Sequence, residues 1–203
     1  MKRRTLDVIF SVGGLVLAVL LGVLGFVLKN QADFAEDYVT DQLAAQQIFF
    51  TPEEGLTDEE MEAECLVENA GEPLTTGKQA ECYANEYIGL HLSEINDGKT
   101  YSQTSTEARA ARTEANAALE TAPNDPATAE LVATAEELEA KTESLFRGET
   151  LRGLLLTSYG FSIFGERAEL AAWVCFGVAL VLLLASIAGF IHAATTPKEE
   201  VVT

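Results

Sequence analysis

Residues 6–28 read LDVIFSVGGLVLAVLLGVLGFVL, and residues 171–193 read AAWVCFGVALVLLLASIAGFIHA. Each run has the roughly 20 residues that a helix rising about 1.5 Å per residue needs to cross a hydrocarbon core about 30 Å thick. Asp7, near the start of the first run, and His192, near the end of the second, are the only acidic or basic side chains in them. A soluble helix of this length needs a polar face, and a lipid-exposed segment must satisfy its backbone internally. The pattern therefore predicts an all-α membrane protein: two transmembrane helices with an extracytoplasmic helical domain between them.

Orientation follows from the first residues. Lys2, Arg3 and Arg4 precede the first run, whereas Asp33, Glu36 and Asp37 follow it, so the positive-inside rule keeps the N-terminus in the cytoplasm and an even span count returns the C-terminus there. Lys198 after the second run and Arg167 before it offset each other. A cleaved signal peptide is disfavoured, because the apolar run exceeds the usual length of about 7 to 15 residues and no A-x-A-like site follows Leu28. The expected layout is a cytoplasmic N-terminus (1–5), a first span (6–28), an extracytoplasmic acidic helical domain (29–150), a juxtamembrane helix (151–169), a second span (170–193) and a cytoplasmic C-terminus (194–203). This is the plan of a multi-pass protein of the cell membrane. Residues 30–150 hold 27 Asp and Glu against six Lys and Arg. So acidic a surface repels nucleic acid and anionic headgroups, which excludes both as ligands of this region.

Between the spans the first helix is expected to continue as a stalk to Thr51-Pro52, since no Pro or Gly interrupts residues 30–47. Thr57 and Glu60 have capping-box spacing ahead of a brief acidic helix carrying Met61, Cys65 and Leu66. Thr75 or Thr76 caps a longer helix running to about Ile95, with Ala80, Tyr83, Ala84, Tyr87, Ile88, His91 and Leu92 on one face, and Asn96-Asp97-Gly98 closes it. The Ala-rich stretch Thr104 to Ala122 buries little. Pro123-Asn124-Asp125-Pro126 turns it into a second helix, with Asp125 as N-cap and Pro126 at the first helical position. The apolar, aromatic stretch 151–165 either lies in the interface or extends the second span outward, and packing beside the first stalk is the preferred reading because its polar face is not basic enough for an interfacial helix.

Cys65 and Cys82 share the exterior segment with sixteen residues between them, which suits a disulfide in an oxidising compartment worth roughly 3 kcal/mol. Cys175, inside the second span, reads as a small packing residue. Gly14, Ala18 and Gly22 in the first span, and Ala185, Gly189 and Ala193 in the second, recur every four residues and mark faces for close helix packing. Asp7 beside three basic residues reads as a salt-bridged or hydrated edge residue. His91 on an apolar helix face reads as a packed residue. It and His192 fall on opposite sides of the membrane and cannot share a metal. No nucleophile elbow, P-loop, C-x-x-C or H-E-x-x-H motif occurs, so no catalytic residue, metal, cofactor or small-molecule substrate is expected.

Five segments carry a resemblance: Gln46-Gln47-Ile48-Phe49-Phe50; Leu74 to Ala80; Tyr83-Ala84-Asn85 with Leu90-His91-Leu92; Gly98-Lys99-Thr100-Tyr101; and Phe146 to Gly153. Through them the chain resembles a family of two-span membrane proteins of actinobacteria whose members often carry the description of an aromatic ring-opening dioxygenase. The resemblance implies topology and lineage. Extradiol ring cleavage uses Fe(II) held by two histidines and a carboxylate, and one histidine per side of the membrane cannot build that site. Two function classes remain. One is a non-enzymatic accessory or scaffold subunit of a larger membrane assembly, for which the respiratory supercomplex is the actinobacterial candidate, with the lipid bilayer and other membrane subunits as partners. The other is a free-standing envelope protein whose acidic exterior binds a basic partner or divalent cations.

Overall fold

The computed structural model describes residues 2–197, and the expectations for Lys198 and the tail beyond it lie outside the described residues. The described chain is helical, and Phe49 and Pro73 form an isolated backbone bridge. In chain order the helices are α1 (Arg3–Ala45), α2 (Asp58–Met61), α3 (Glu64–Glu68), α4 (Gly77–Cys82), α5 (Gly89–Ser93), α6 (Tyr101–Thr121) and α7 (Pro126–Thr195). They divide into two compact units. One takes the residues up to Tyr38 with those from Phe161 onward, and the other is Val39–Gly160.

In the first unit α1 and α7 each contain a stretch long and apolar enough to cross a membrane, and only 17 % and 11 % of those stretches is buried. A core helix of a soluble protein shows the reverse. The apolar side chains point outward, Phe10 and Phe26 most of all. Most of what is buried falls on a seven-residue repeat: Ser11, Ala18, Gly25 and Ala32 on α1, and Gly165, Ala172, Ser186 and Ala193 on α7, where the repeat skips the half-buried Ala179. A seven-residue repeat keeps one seam of each helix facing the other in a left-handed supercoil. Small residues on that seam bring the backbones close. A methyl group on Gly25 would sit 2.8 Å from the Phe176 ring, and one on Gly165 would sit 2.9 Å from Ala35 Cβ.

In the second unit α1 stops at Ala45, short of the expected Thr51-Pro52. Gln47 turns left-handed (φ 51°), and the chain leaves the helix to pair its backbone elsewhere: Phe50 N–H donates to Glu72 O and Leu74 N–H to Ile48 O. The expected capping box forms at Thr57/Glu60, the cap left open between Thr75 and Thr76 falls to Thr76 in a box with Gln79, and a third box joins Thr100 to Gln103. The acidic segment after Thr57 breaks into α2 and α3. The helix after Thr76 is interrupted by a π-helical turn, Tyr83–Ile88, between α4 and α5. That turn places Ala80, Ala84, Ile88 and Leu92 in one buried row, and Phe50, Leu66, Leu74, Leu145 and Leu155 pack against it. Asn96, Asp97 and Gly98 close the segment with three successive left-handed residues. Asp125 Oδ1 then accepts from Ala127 N–H at 2.9 Å, as an N-cap does. α6 and α7 form the expected hairpin over buried Ala108, Ala115, Thr128 and Ala135, again seven apart on each helix. Residues 151–165 belong to the continuous helix α7.

Two glycines of α7 should respond oppositely to alanine. A methyl on Gly148 would overlap the side chain of Leu92, whereas one on Gly153 meets nothing within 4 Å. Gly148→Ala is expected to lower the stability of this unit by about 1 to 3 kcal/mol through overpacking. Gly153→Ala should raise it by up to about 1 kcal/mol through helix propensity. Hydrogen exchange on the full-length protein in detergent reads both changes.

Candidate functional site

The α1–α7 seam is closed at each end by a polar rung. His192 Nδ1 lies 2.9 Å from Asp7 Oδ2, and Lys29 Nζ reaches Glu169 Oε1 at 3.0 Å while also holding Asp33 Oδ1 at 2.6 Å. Between the rungs neither helix carries an Asp, Glu, Lys, Arg or His. The 22 residues from Asp7 to Lys29 and the 23 from Glu169 to His192 rise about 33 and about 34 Å, slightly more than a hydrocarbon core of about 30 Å. The two hydroxyls inside this interval, Ser11 and Ser186, are buried in the seam. A methyl on Gly14 would lie 2.5 Å from Ser186 Oγ, and one on Gly189 would overlap Ser11 Oγ. The interior of the hairpin is therefore filled by its own side chains.

Four of the six small residues singled out by four-residue spacing lie in this seam: Gly14, Ala18, Gly189 and Ala193. Gly22 has nothing within 4 Å and Ala185 is exposed, so these two lie off the α1–α7 contact. Asp7, expected to be salt-bridged or hydrated, has His192 as its partner. Sequence reasoning passed over Ser11, Gly25, Ala32, Gly165, Ala172 and Ser186, though the seven-residue recurrence of small residues was the signal for them.

In Val39–Gly160 the sulfurs of Cys65 and Cys82 lie at bonding distance, 1.97 Å, with their Cα atoms 6.1 Å apart, tying α3 to α4. Beside them runs a ladder of rings: Phe50–Tyr83 at 5.3 Å, Tyr83–Tyr87 at 4.7 Å and Tyr87–His91 at 4.5 Å. His91 is half exposed rather than enclosed. Its Nδ1 lies 2.8 Å from the Tyr87 carbonyl and its Nε2 lies 3.8 Å from Oε1 of the buried Glu60. Burial pushes the Tyr83 phenol up to about 12, with Tyr87 and Glu60 adding to the effect. The folded unit thus holds the neutral phenol more tightly than the unfolded chain does. The corresponding stability is full below the ordinary value of 10 and lost as pH rises through about 12. Alkaline unfolding of the wild type is expected to steepen across that window, and Tyr83→Phe should flatten it.

The segments quoted for the family resemblance meet in this same unit. Arg152 Nη2 donates to Asn85 Oδ1 at 3.2 Å, Tyr101 and Phe146 stack at 5.7 Å, and Gly148 lies against Leu92. Asn85, Leu92 and Arg152 line an open cleft of about 340 Å³ with Gly89, Gly98, Lys99 and Glu149. Its cations are engaged: Lys99 pairs with Glu107 at 2.9 Å, and Arg152 pairs with Glu149 at 3.5 Å. Arg152 Nε is buried without a partner, packed near Gly89. No protein-family model matches this chain, and no curated protein or solved structure matches it either. Among the described residues, no group of three or more His, Cys, Asp or Glu side chains is placed to hold a metal ion. The arrangements that stand out are mechanical ones: a zipped helix pair, and a small helical unit fastened by a sulfur–sulfur contact.

Proposed function

We propose that this chain is an accessory subunit of a larger membrane assembly, without turnover of its own. It is a two-span hairpin that keeps both termini in the cytoplasm, holds the acidic helical domain outside, and works by contact. The observation that carries the reading is the pair of polar rungs, Asp7 with His192 and Lys29 with Glu169. They bracket two uncharged helix stretches of bilayer length, and the polar groups of those stretches are turned inward and spent on holding the hairpin closed. That leaves an apolar outer surface for lipid and for neighbouring spans. The Val39–Gly160 unit has exposed apolar side chains of its own, among them Phe146 and Leu154 on α7, that are open to contact.

In the actinobacterial lineage to which the resemblance points, the respiratory cytochrome supercomplex is the assembly to test first. Mild-detergent extraction of native membranes, followed by affinity purification of the chain, is expected to bring haem-containing subunits with it in fixed ratio. Elution of the chain alone as a monodisperse small particle would contradict the subunit reading. His91→Ala is expected to leave co-purification unchanged.

A further inference from the structure

We propose that the aromatic surface formed by Phe34, Tyr38 and Phe161 is the seat of a cationic, membrane-adjacent segment of another membrane protein. The inference rests on the two-span subunit reading above and specifies where that subunit is gripped. The three rings form one surface across both helices of the first unit. Phe34 and Tyr38 stack at 5.8 Å, and Tyr38 meets Phe161 edge-on at 5.7 Å. They remain 56 %, 50 % and 38 % exposed. Scattered exposed apolar residues need no explanation, whereas a joined aromatic patch does.

Lipid does not account for it. The Lys29–Glu169 rung marks one edge of the uncharged stretches. Tyr38 lies nine residues beyond Lys29 and Phe161 eight residues before Glu169, which places both roughly 12 to 14 Å past that edge. The headgroup layer on one side of a bilayer is only about 5 to 8 Å deep. Phe34 reaches into that layer as an interfacial aromatic does, but the Tyr38–Phe161 pair stands clear of it.

The charges say what covers the rings. On α1 no Lys or Arg follows Lys29, and Asp33 and Asp37 directly precede the two ring positions; on α7 the charges that follow Phe161, Glu166 and Arg167, offset each other. Asp33 is held by Lys29, while Asp37 is exposed and has no ion pair among the described residues. A guanidinium or ammonium laid on the faces of Phe34 and Tyr38 gains a cation–π contact and a carboxylate partner at once. Anionic lipid headgroups and a second copy of this chain both bring negative charge to the same place, and are disfavoured by it. At that height a segment adjoining a span of its own protein reaches the rings directly.

A photo-crosslinking phenylalanine analogue placed at Tyr38 in the full-length chain, in native membranes, tests this, with Phe26 as the lipid-facing control. The expected result is a Tyr38 adduct to a peptide that carries Lys or Arg and adjoins a span of its own protein, with a yield that Asp37→Lys lowers about tenfold. The proposal is overturned by adducts to lipid only, by adducts to a second copy of this chain, by a target peptide without a cation, or by a yield indifferent to Asp37→Lys. If the chain still co-purifies with a larger assembly under any of those outcomes, the docking surface falls and the subunit reading stands. If nothing co-purifies and Tyr38 labels only lipid, both fall.

Discussion

Changing Cys82 to Ser should destabilise the Val39–Gly160 unit by about 3 kcal/mol, the loop-closure value for a bridge spanning 17 residues. The effect is large because the core it fastens is thin. The segments α2 to α5 are each six residues or shorter, and the apolar side chains they bury are few: Leu66, Ala80, Cys82 and Leu92. Helices so short do not hold themselves, and they depend on what ties them to one another. Amide exchange in residues 64–93 is expected to accelerate about a hundredfold in the variant, and equally in the wild type after reduction. Cys175→Ser, in the other unit, should leave those amides unchanged. Full alkylation of Cys65 and Cys82 in the unreduced native protein would show that the bond does not form.

Leucine at Gly14 or Gly189 should separate the two long helices, whereas leucine at Gly22 or Ala185 should not. The first pair lies in the seam, where a methyl already collides with Ser186 or Ser11. The second pair lies off it, at an open and at an exposed position. All four substitutions make the spans more apolar, so insertion is expected to proceed in each. A cysteine pair placed at Ala18 and Leu182 in a background lacking the native cysteines would report the seam by its oxidative crosslinking yield. That yield is expected to fall more than tenfold in Gly14→Leu with Gly189→Leu and to stay within twofold in Gly22→Leu with Ala185→Leu. Equal losses in both double variants would mean that the seam is not where the seven-residue repeat places it.

The contrast between those pairs also shows what was legible in the chain. Four-residue spacing found Gly14 and Ala18 but carried on to Gly22. Each four-residue step advances about 40° round a helix of 3.6 residues per turn, so the third member leaves the contact line. A seven-residue repeat drifts only about 20° and stays on it, as Ser11, Ala18, Gly25 and Ala32 do. Local chemistry read well: the Thr57/Glu60 and Thr76/Gln79 caps, the Asp125-Pro126 start and the closure at Gly98 depend on neighbours within a few residues. The Thr100/Gln103 box has the same signature and was passed over. The end of α1 was not legible, since Gln47 turns left-handed to serve backbone pairing with residues 72–74, a long-range demand that local propensity does not encode. The π-helical turn at 83–88 is of the same kind. Its register serves the packing of Ala84, Ile88 and Leu92 against Phe50, Leu74 and Leu145. Tyr38 and Phe161 lie more than a hundred residues apart in the sequence, and the preferred packing of 151–165 beside the first stalk set their helices together without singling out that pair.

The central claim is that the chain crosses the bilayer twice and presents Val39–Gly160 outside. Single cysteines at Glu54 and at Lys198, in a background without the native three, test it most directly with a membrane-impermeant thiol reagent on intact cells. The account predicts that Glu54→Cys is labelled at once and Lys198→Cys only after the membrane is permeabilised. Labelling of both in intact cells, or of Lys198→Cys alone, would contradict it.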